Sequence, residues 1–313
     1  MATTELKCEL SWSASRRKEF ERCRKEYHYG RYASWGWWKE GPDSERWKVA
    51  IHKNLTSLPA FAGNCVHDSI QHWFEMSRGG VRMTAAELYE ECVHRFREGW
   101  RQSSAFDPRD RPKRGKVHLA EHHYGEELSK ERTEEVRALL ERCARAFVEG
   151  AACAPAREAH PDSWRALEEL GHYRFLGVPV YAVPDFAYVD GDVLHVWDWK
   201  TGTPRGDDRF QLHTYALYAC EKWSHDPEAI VLHAAYLSEG KVESWPVELG
   251  ELSAAQDVVS ESVRAMMEVH YDPLEDPFVP EHWPASPSAS TCRTCRFRGI
   301  CSDVHAAARP RLR

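Results

Sequence analysis

The stretch VPDFAYVDGDVLHVWDWKTG, residues 183–202, constrains the fold more than any other part of the chain. β-Branched and aromatic residues flank Asp-Gly-Asp on both sides, the pattern of two strands joined by a tight turn. With Gly191-Asp192 at its centre, a type II′ turn sets Asp190 opposite Val193 and, further out, Asp185 opposite Asp198. Moving the turn to Asp190-Gly191 slides the pairing by two residues, and both acids stay on one face. Lys200, two residues past Asp198, shares that face. Carboxylates opposed across a strand pair repel one another and destabilise a sheet unless something compensates them. A divalent cation does so, and oxygen ligands of this kind suit Mg²⁺ or Mn²⁺. A lysine beside such an ion can orient or deprotonate a water and balance charge on a phosphate. The alternative is a plain hairpin with solvated acids at its rim, because Asp-Gly turns are common.

Around this segment the pattern changes from helical to extended. Apolar residues at helical spacing predict helices over 12–32, 63–75, 86–100 and 126–149. After Pro161 the chain reads as strands, with Tyr173–Val183 alternating about Gly177. A helix is expected over 207–222, then VLHAAYL–SEG–KVESWPV as a second hairpin. The Pro- and Ser-rich stretch DPLEDPFVPEHWPASPSAS, residues 272–290, reads as an extended connector. Helices, strands, a helix, strands and a tail suit an α/β or α+β domain. A chain of 313 residues allows one large domain or two small ones. No apolar run approaches the roughly 18 residues of a membrane span, so no membrane partner is expected. The N-terminal sequence lacks a signal-peptide pattern, and a cytoplasmic location is expected.

The net charge of −7 argues against a generally basic nucleic-acid binder, but the charge is unevenly spread. Residues 1–60 carry 12 Lys/Arg against 8 Asp/Glu, residues 101–116 carry 6 against 2, and residues 291–313 carry 6 against 1. Basic ends on an acidic body can form a local phosphate-binding surface, and scattered solvated charges fit the same count.

The arrangement Pro184-Asp185 followed by Asp198-Trp199-Lys200 resembles the P-D…D-x-K signature of the PD-(D/E)XK nuclease superfamily. Two further matches stand in the order shown by its RecB-like branch. GNCVH, ending at His67, is similar to the G-x-x-x-H helix, and QLHTY, Gln211 to Tyr215, to the Q-x-x-x-Y helix. Gln211 and Tyr215 lie one helical turn apart and can face the same cleft. The resemblance implies an α/β fold with a restriction-endonuclease-like core: a mixed central β-sheet flanked by helices, with an N-terminal helical region and a C-terminal Fe–S tail. It implies a single nuclease domain over 1–313, with helical parts at 1–60 and 61–165, a catalytic core at 166–250 and a C-terminal part at 251–313. It further implies that Asp185, Asp198 and the backbone carbonyl of Trp199 bind Mg²⁺ or Mn²⁺, with His67 as a ligand. Lys200 would position the attacking water, while Gln211 and Tyr215 would orient the lysine or the nucleic-acid backbone. Glu168 or Glu169, ahead of the first expected strand, would add an acid. The implied activity is hydrolysis of DNA, foremost exonucleolytic and directed at single strands or single-stranded ends. A helicase or an integration or defence complex is the implied partner. The other readings are a non-catalytic DNA-binding subunit and a zinc-stapled duplex endonuclease.

Of ten cysteines, three cluster in STCRTCRFRGIC as Cys292, Cys295 and Cys301. Clustered thiols in an intracellular chain more often bind metal than form disulfides. A single C-x2-C pair leaves the fourth ligand to come from a distance, and Cys23 is the candidate. One N-terminal cysteine with a C-terminal C-x2-C-x5-C triplet resembles the iron–sulfur members of the RecB-like nucleases, of the AddB and CRISPR-associated types. Four thiolates would then hold a [4Fe–4S] cluster, with Zn²⁺ as the alternative. Such a link joins the two ends of the chain and would stabilise the fold by several kcal/mol, on the order given by the loop-entropy model.

Other signals carry less. His118 and His122 are four apart, but the glutamate position is wrong for H-E-x-x-H. No P-loop or G-x-S-x-G elbow is present. The WGWW stretch is open to base stacking or to burial.

Overall fold

The computed structural model describes residues 6–111 and 115–310, and these form a mixed α/β fold. In chain order the helices are α1 (Ala14–Arg22), α2 (Arg24–His28), α3 (Glu45–Lys53), α4 (Leu58–Arg78), α5 (Ala85–Ser104), α6 (Ala120–His123), α7 (Lys130–Val148) and α8 (Ala154–Glu158). After the first five strands come α9 (Gly206–Trp223), α10 (Leu249–Val269) and α11 (Ala289–Thr294). The strands are β1 (Trp164–Leu167), β2 (Gly171–Phe175), β3 (Val178–Ala182), β4 (Phe186–Asp190), β5 (Val193–Lys200), β6 (Ile230–Tyr236) and β7 (Lys241–Pro246). No described helix is long and apolar enough to cross a membrane. The chain divides into two compact units, one from Met1–Leu58, Glu98–Glu127 and Ser262–Arg313, the other from Pro59–Arg97 and Leu128–Glu261.

In the first unit, the helix expected over 12–32 is broken at Cys23. Ser13 caps the start of α1 through its hydroxyl. At Cys23 the backbone is extended, φ −163° and ψ 108°, which ends α1 and starts α2. A π-helical turn, Tyr29–Ala33, follows. Aromatic packing gives the physical reason for the break. Tyr27 and Tyr32 are buried against Trp283, with ring centroids 6.3 and 5.0 Å away, and the N–H of Lys25 bonds to the Pro284 carbonyl. The connector 272–290 supplies those partners, so the break lets α2 dock on it.

The second unit holds the sheet, in the order β1-β4-β5-β6-β7. β4 and β5 are antiparallel, with Asp190 opposite Val193 through Phe186 opposite Trp197. Gly191 takes φ +58° at the first turn position, as a type II′ turn requires. β5 and β6 run parallel, joined by α9 as the crossover, and β6 and β7 form the second hairpin. Both faces of β5 and β6 are largely buried, which suits their aliphatic and aromatic sequences. On one face Phe74 of α4 and Phe147 of α7 pack against Trp199, and Phe74 stacks on Phe186 at 4.2 Å. β1 was not foreseen. The Tyr173–Val183 stretch is a separate hairpin, β2 and β3, and Glu168 follows a strand rather than preceding the first.

Candidate functional site

The β4–β5 register, continued one residue past Phe186, sets Asp185 opposite Asp198 at the end of the sheet. Both carboxyl groups are buried: Asp185 is 5% and Asp198 2% exposed. Asp185 Oδ2 accepts the Trp199 N–H at 2.5 Å, while its backbone carbonyl accepts the Glu168 N–H at 3.0 Å. The acid thus ties its own strand to β5 and to the end of β1. Glu168 sits at φ +50°, a conformation non-glycine residues seldom adopt, and this strained turn directs its side chain to the site. Glu169, the other candidate acid, is exposed.

His67, on α4, brings an imidazole to the same point. Its Nδ1 lies 3.2 Å from Glu168 Oε1 and 3.4 Å from Asp185 Oδ1. Ligand atoms of His67, Glu168 and Asp185 all fall within 4.8 Å of one another. Lys200 Nζ lies 2.6 Å from Asp198 Oδ2 and donates to Gln211 Oε1 at 2.8 Å. Gln211 Nε2 donates to the Tyr215 hydroxyl at 2.6 Å, which in turn donates to Asp198 Oδ1 at 3.5 Å. Gln211 and Tyr215, one turn apart on α9, therefore close a loop of hydrogen bonds around the Asp198–Lys200 pair. Sequence reasoning missed Asp208. It lies on α9 three residues before Gln211, 3.8 Å from Lys200 Nζ, and accepts from the Tyr236 hydroxyl at 3.3 Å. Its spacing from Gln211, one turn upstream in GDDRFQ, was the available signal.

The electrostatics follow from crowding acids out of water. Burial first, then the charge of Asp185, pushes the Asp198 carboxyl up to about 7, against the downward pull of Lys200. Burial raises Glu168 as well, against the pull of His67. For His67 burial acts downward, but Asp185 and then Glu168 outweigh it and hold the imidazole well above its ordinary range. Lys200 is likewise held up by Asp198 in spite of burial. A site that raises its own acids in this way favours a bound cation. The donor set, carboxylate oxygens with one imidazole, fits Mg²⁺ or Mn²⁺.

In the first unit, Cys23, Cys292, Cys295 and Cys301 line one cavity, together with Tyr29 and Phe297. Two of the sulfurs accept a backbone N–H, Cys23 from Ser286 and Cys292 from His305, both at 3.5 Å. The break at Cys23 and the connector together bring the distant thiol to the triplet.

A family model described as the PD-(D/E)XK nuclease superfamily matches residues 11–302. No curated protein matches the chain.

Proposed function

The chain belongs to the PD-(D/E)XK nuclease superfamily, a family of metal-dependent nucleases that hydrolyse phosphodiesters, and from that premise we propose a deoxyribonuclease of the RecB-like type, acting as an exonuclease on single strands or single-stranded ends and stabilised by a [4Fe–4S] cluster. The observation that carries the reading is the meeting of His67, Glu168, Asp185, Asp198 and Lys200 at one sheet end. Asp185, Asp198, Glu168, His67 and the Trp199 carbonyl would hold Mg²⁺ or Mn²⁺. The ion, when bound, supplies Lewis-acid polarisation of the scissile phosphate and makes a water nucleophilic at neutral pH. The residues do the rest. Lys200 presents its ammonium protons to the attacking water and the phosphate oxygens, held in line by Gln211 Oε1 and Asp198. Tyr215 fixes those two partners, and Asp208, 3.8 Å from Nζ, helps keep the lysine charged. The same hydrogen bonds restrict Lys200 to one direction, which lowers the entropic cost of alignment.

The iron–sulfur reading rests on the thiol cavity. Cys23, Cys292, Cys295 and Cys301 face that one cavity, and four thiolates are the ligand set of a [4Fe–4S] cluster. Backbone N–H donors at Cys23 and Cys292 add the hydrogen bonding that stabilises cluster thiolates. The family match spans residues 11–302; on this reading 1–313 is a single nuclease domain to which a helicase or an integration or defence complex delivers DNA.

The test is hydrolysis of end-labelled single- and double-stranded DNA with Mg²⁺ or Mn²⁺, with free and blocked ends. The reading expects metal-dependent trimming of free single strands that blocking abolishes. Cleavage of blocked circles at equal rate would replace it with an endonuclease, and activity unchanged in Asp198→Ala would remove this site from the chemistry.

A further inference from the structure

Three cations of the first unit gather, two of them on the Glu19 carboxylate. Arg31 lies on the π-helical turn, Lys53 at the end of α3, and Arg296 next to Cys295. Arg296 donates through Nη2 to Glu19 Oε1 at 2.6 Å and through Nη1 to the Lys53 carbonyl at 3.2 Å. Arg31 Nη2 stands 4.0 Å from the other Glu19 oxygen. Lys53 Nζ has only the Ser34 hydroxyl, at 3.4 Å, and pairs with no carboxylate among the described residues. The Nε atoms of Arg31 and Arg296 are buried and have no hydrogen-bond partner. Burial, then Arg31 and Arg296, presses the Lys53 amine down to about 8, so each cation raises the cost of the others. Lys53 thus stands among Arg31, Arg296 and Arg16 with no carboxylate paired to it among the described residues, a local crowding of positive charge that an anion would relieve. Ligand access remains, because the side chains of Arg31 and Arg296 are 31% and 27% exposed.

We infer that Arg31, Lys53 and Arg296 form a binding site for a backbone phosphate of the nucleic-acid strand, separate from the acid cluster that performs the chemistry. This rests on the nuclease reading for the identity of the ligand. Guanidinium forks match two phosphate oxygens, and a lysine adds a point charge. Glu19 orients both guanidinium groups without neutralising the three cations. Arg296 is carried by the thiol loop, so ordering of that loop places one wall of the site.

The test measures binding of a fluorescein-labelled single strand to the full chain in Ca²⁺, across a salt series. Lys53→Gln, which keeps a donor for Ser34, is expected to weaken binding about tenfold at low salt and to reduce the slope of log K against log salt by about 0.7. In cleavage assays the variant is expected to need about tenfold more strand to reach half its maximal rate. Equal affinity and slope in the variant would overturn the inference. Independently of any variant, acetylation of Lys53 in the native protein, followed by mass spectrometry, is expected to slow when the strand is bound. Unaltered labelling under saturating DNA would overturn it too. Protection by equimolar inorganic phosphate alone would point to a free-anion site instead and defeat the strand assignment. If the native protein binds through Lys53 but cleaves nothing with Mg²⁺ or Mn²⁺, the nuclease reading fails and this site stands.

Discussion

Replacing Asp198 by Asn separates the cost of the buried acid from its use. Its carboxyl is held at about 7 in the folded chain, against an ordinary value near 3.9 when unfolded. Because the folded value is the higher one, the stability the proton supplies is fully present below pH ~4 and is lost as pH rises through 7. Between pH 5.5 and pH 8 the loss is about 2 kcal/mol, and the full cost of the ionised group is about 4 kcal/mol. Asparagine removes that dependence but leaves Lys200 without its nearest carboxylate, with Gln211 Oε1 at 2.8 Å and the Asp208 carboxylate at 3.8 Å remaining. The net gain at pH 8 without metal is therefore expected to be about 1–3 kcal/mol. The assay is thermal unfolding of both proteins in EDTA and in Mg²⁺ at pH 5.5 and 8. Buried histidines such as His118 and His233, held down to about 3, impose the opposite trend and are common to both proteins. Only the difference between wild type and variant isolates Asp198. It should change by about 2 kcal/mol over that range, or a few degrees in Tm. Mg²⁺ should stabilise the wild type more at pH 8 than at pH 5.5, and the variant little at either. A variant less stable than wild type at pH 8 in EDTA, or one that keeps the full Mg²⁺ effect, refutes the reasoning.

Lys200→Ala should lower kcat about 10²–10⁴-fold while DNA binding in Ca²⁺ stays near wild type, read by single-turnover kinetics beside a binding titration. Cys23→Ser should abolish absorption near ~400 nm after anaerobic purification and lower the melting temperature. Full colour in that variant would remove Cys23 from the ligand set. Gly171→Ala should destabilise the β2–β3 hairpin by about 1–3 kcal/mol in denaturant titration, because a Cβ there would lie 2.0 Å from the Tyr218 hydroxyl oxygen.

Much of the second unit was legible because strand periodicity is strict. Once Gly191 fixed the turn, Asp190 had to face Val193, and Asp185 to reach Asp198. Helices α4, α5 and α7 showed in the sequence because each buries an apolar stripe. β1 escaped because Trp-Arg-Ala-Leu is too short to show a period, and without it Glu168 and Glu169 look equivalent. What separates them is a positive φ at Glu168, a property of the folded chain rather than of its side-chain pattern. Asp208 looked like an ordinary first-turn acid of a helix, and its second role depends on where β5 and β6 bring Lys200 and Tyr236. The break at Cys23 escaped for a similar reason: Tyr27 and Tyr32 fit a continuous helix until Trp283, far along the chain, arrives to bury them.

The most direct measurement is anomalous diffraction from crystals soaked in Mn²⁺. The account predicts a manganese peak bonded to carboxylate oxygens of Asp185 and Asp198, with Glu168 or His67 completing the shell and Lys200 close beside it. A fully occupied peak elsewhere, with these side chains still hydrogen-bonded only to one another, would contradict it.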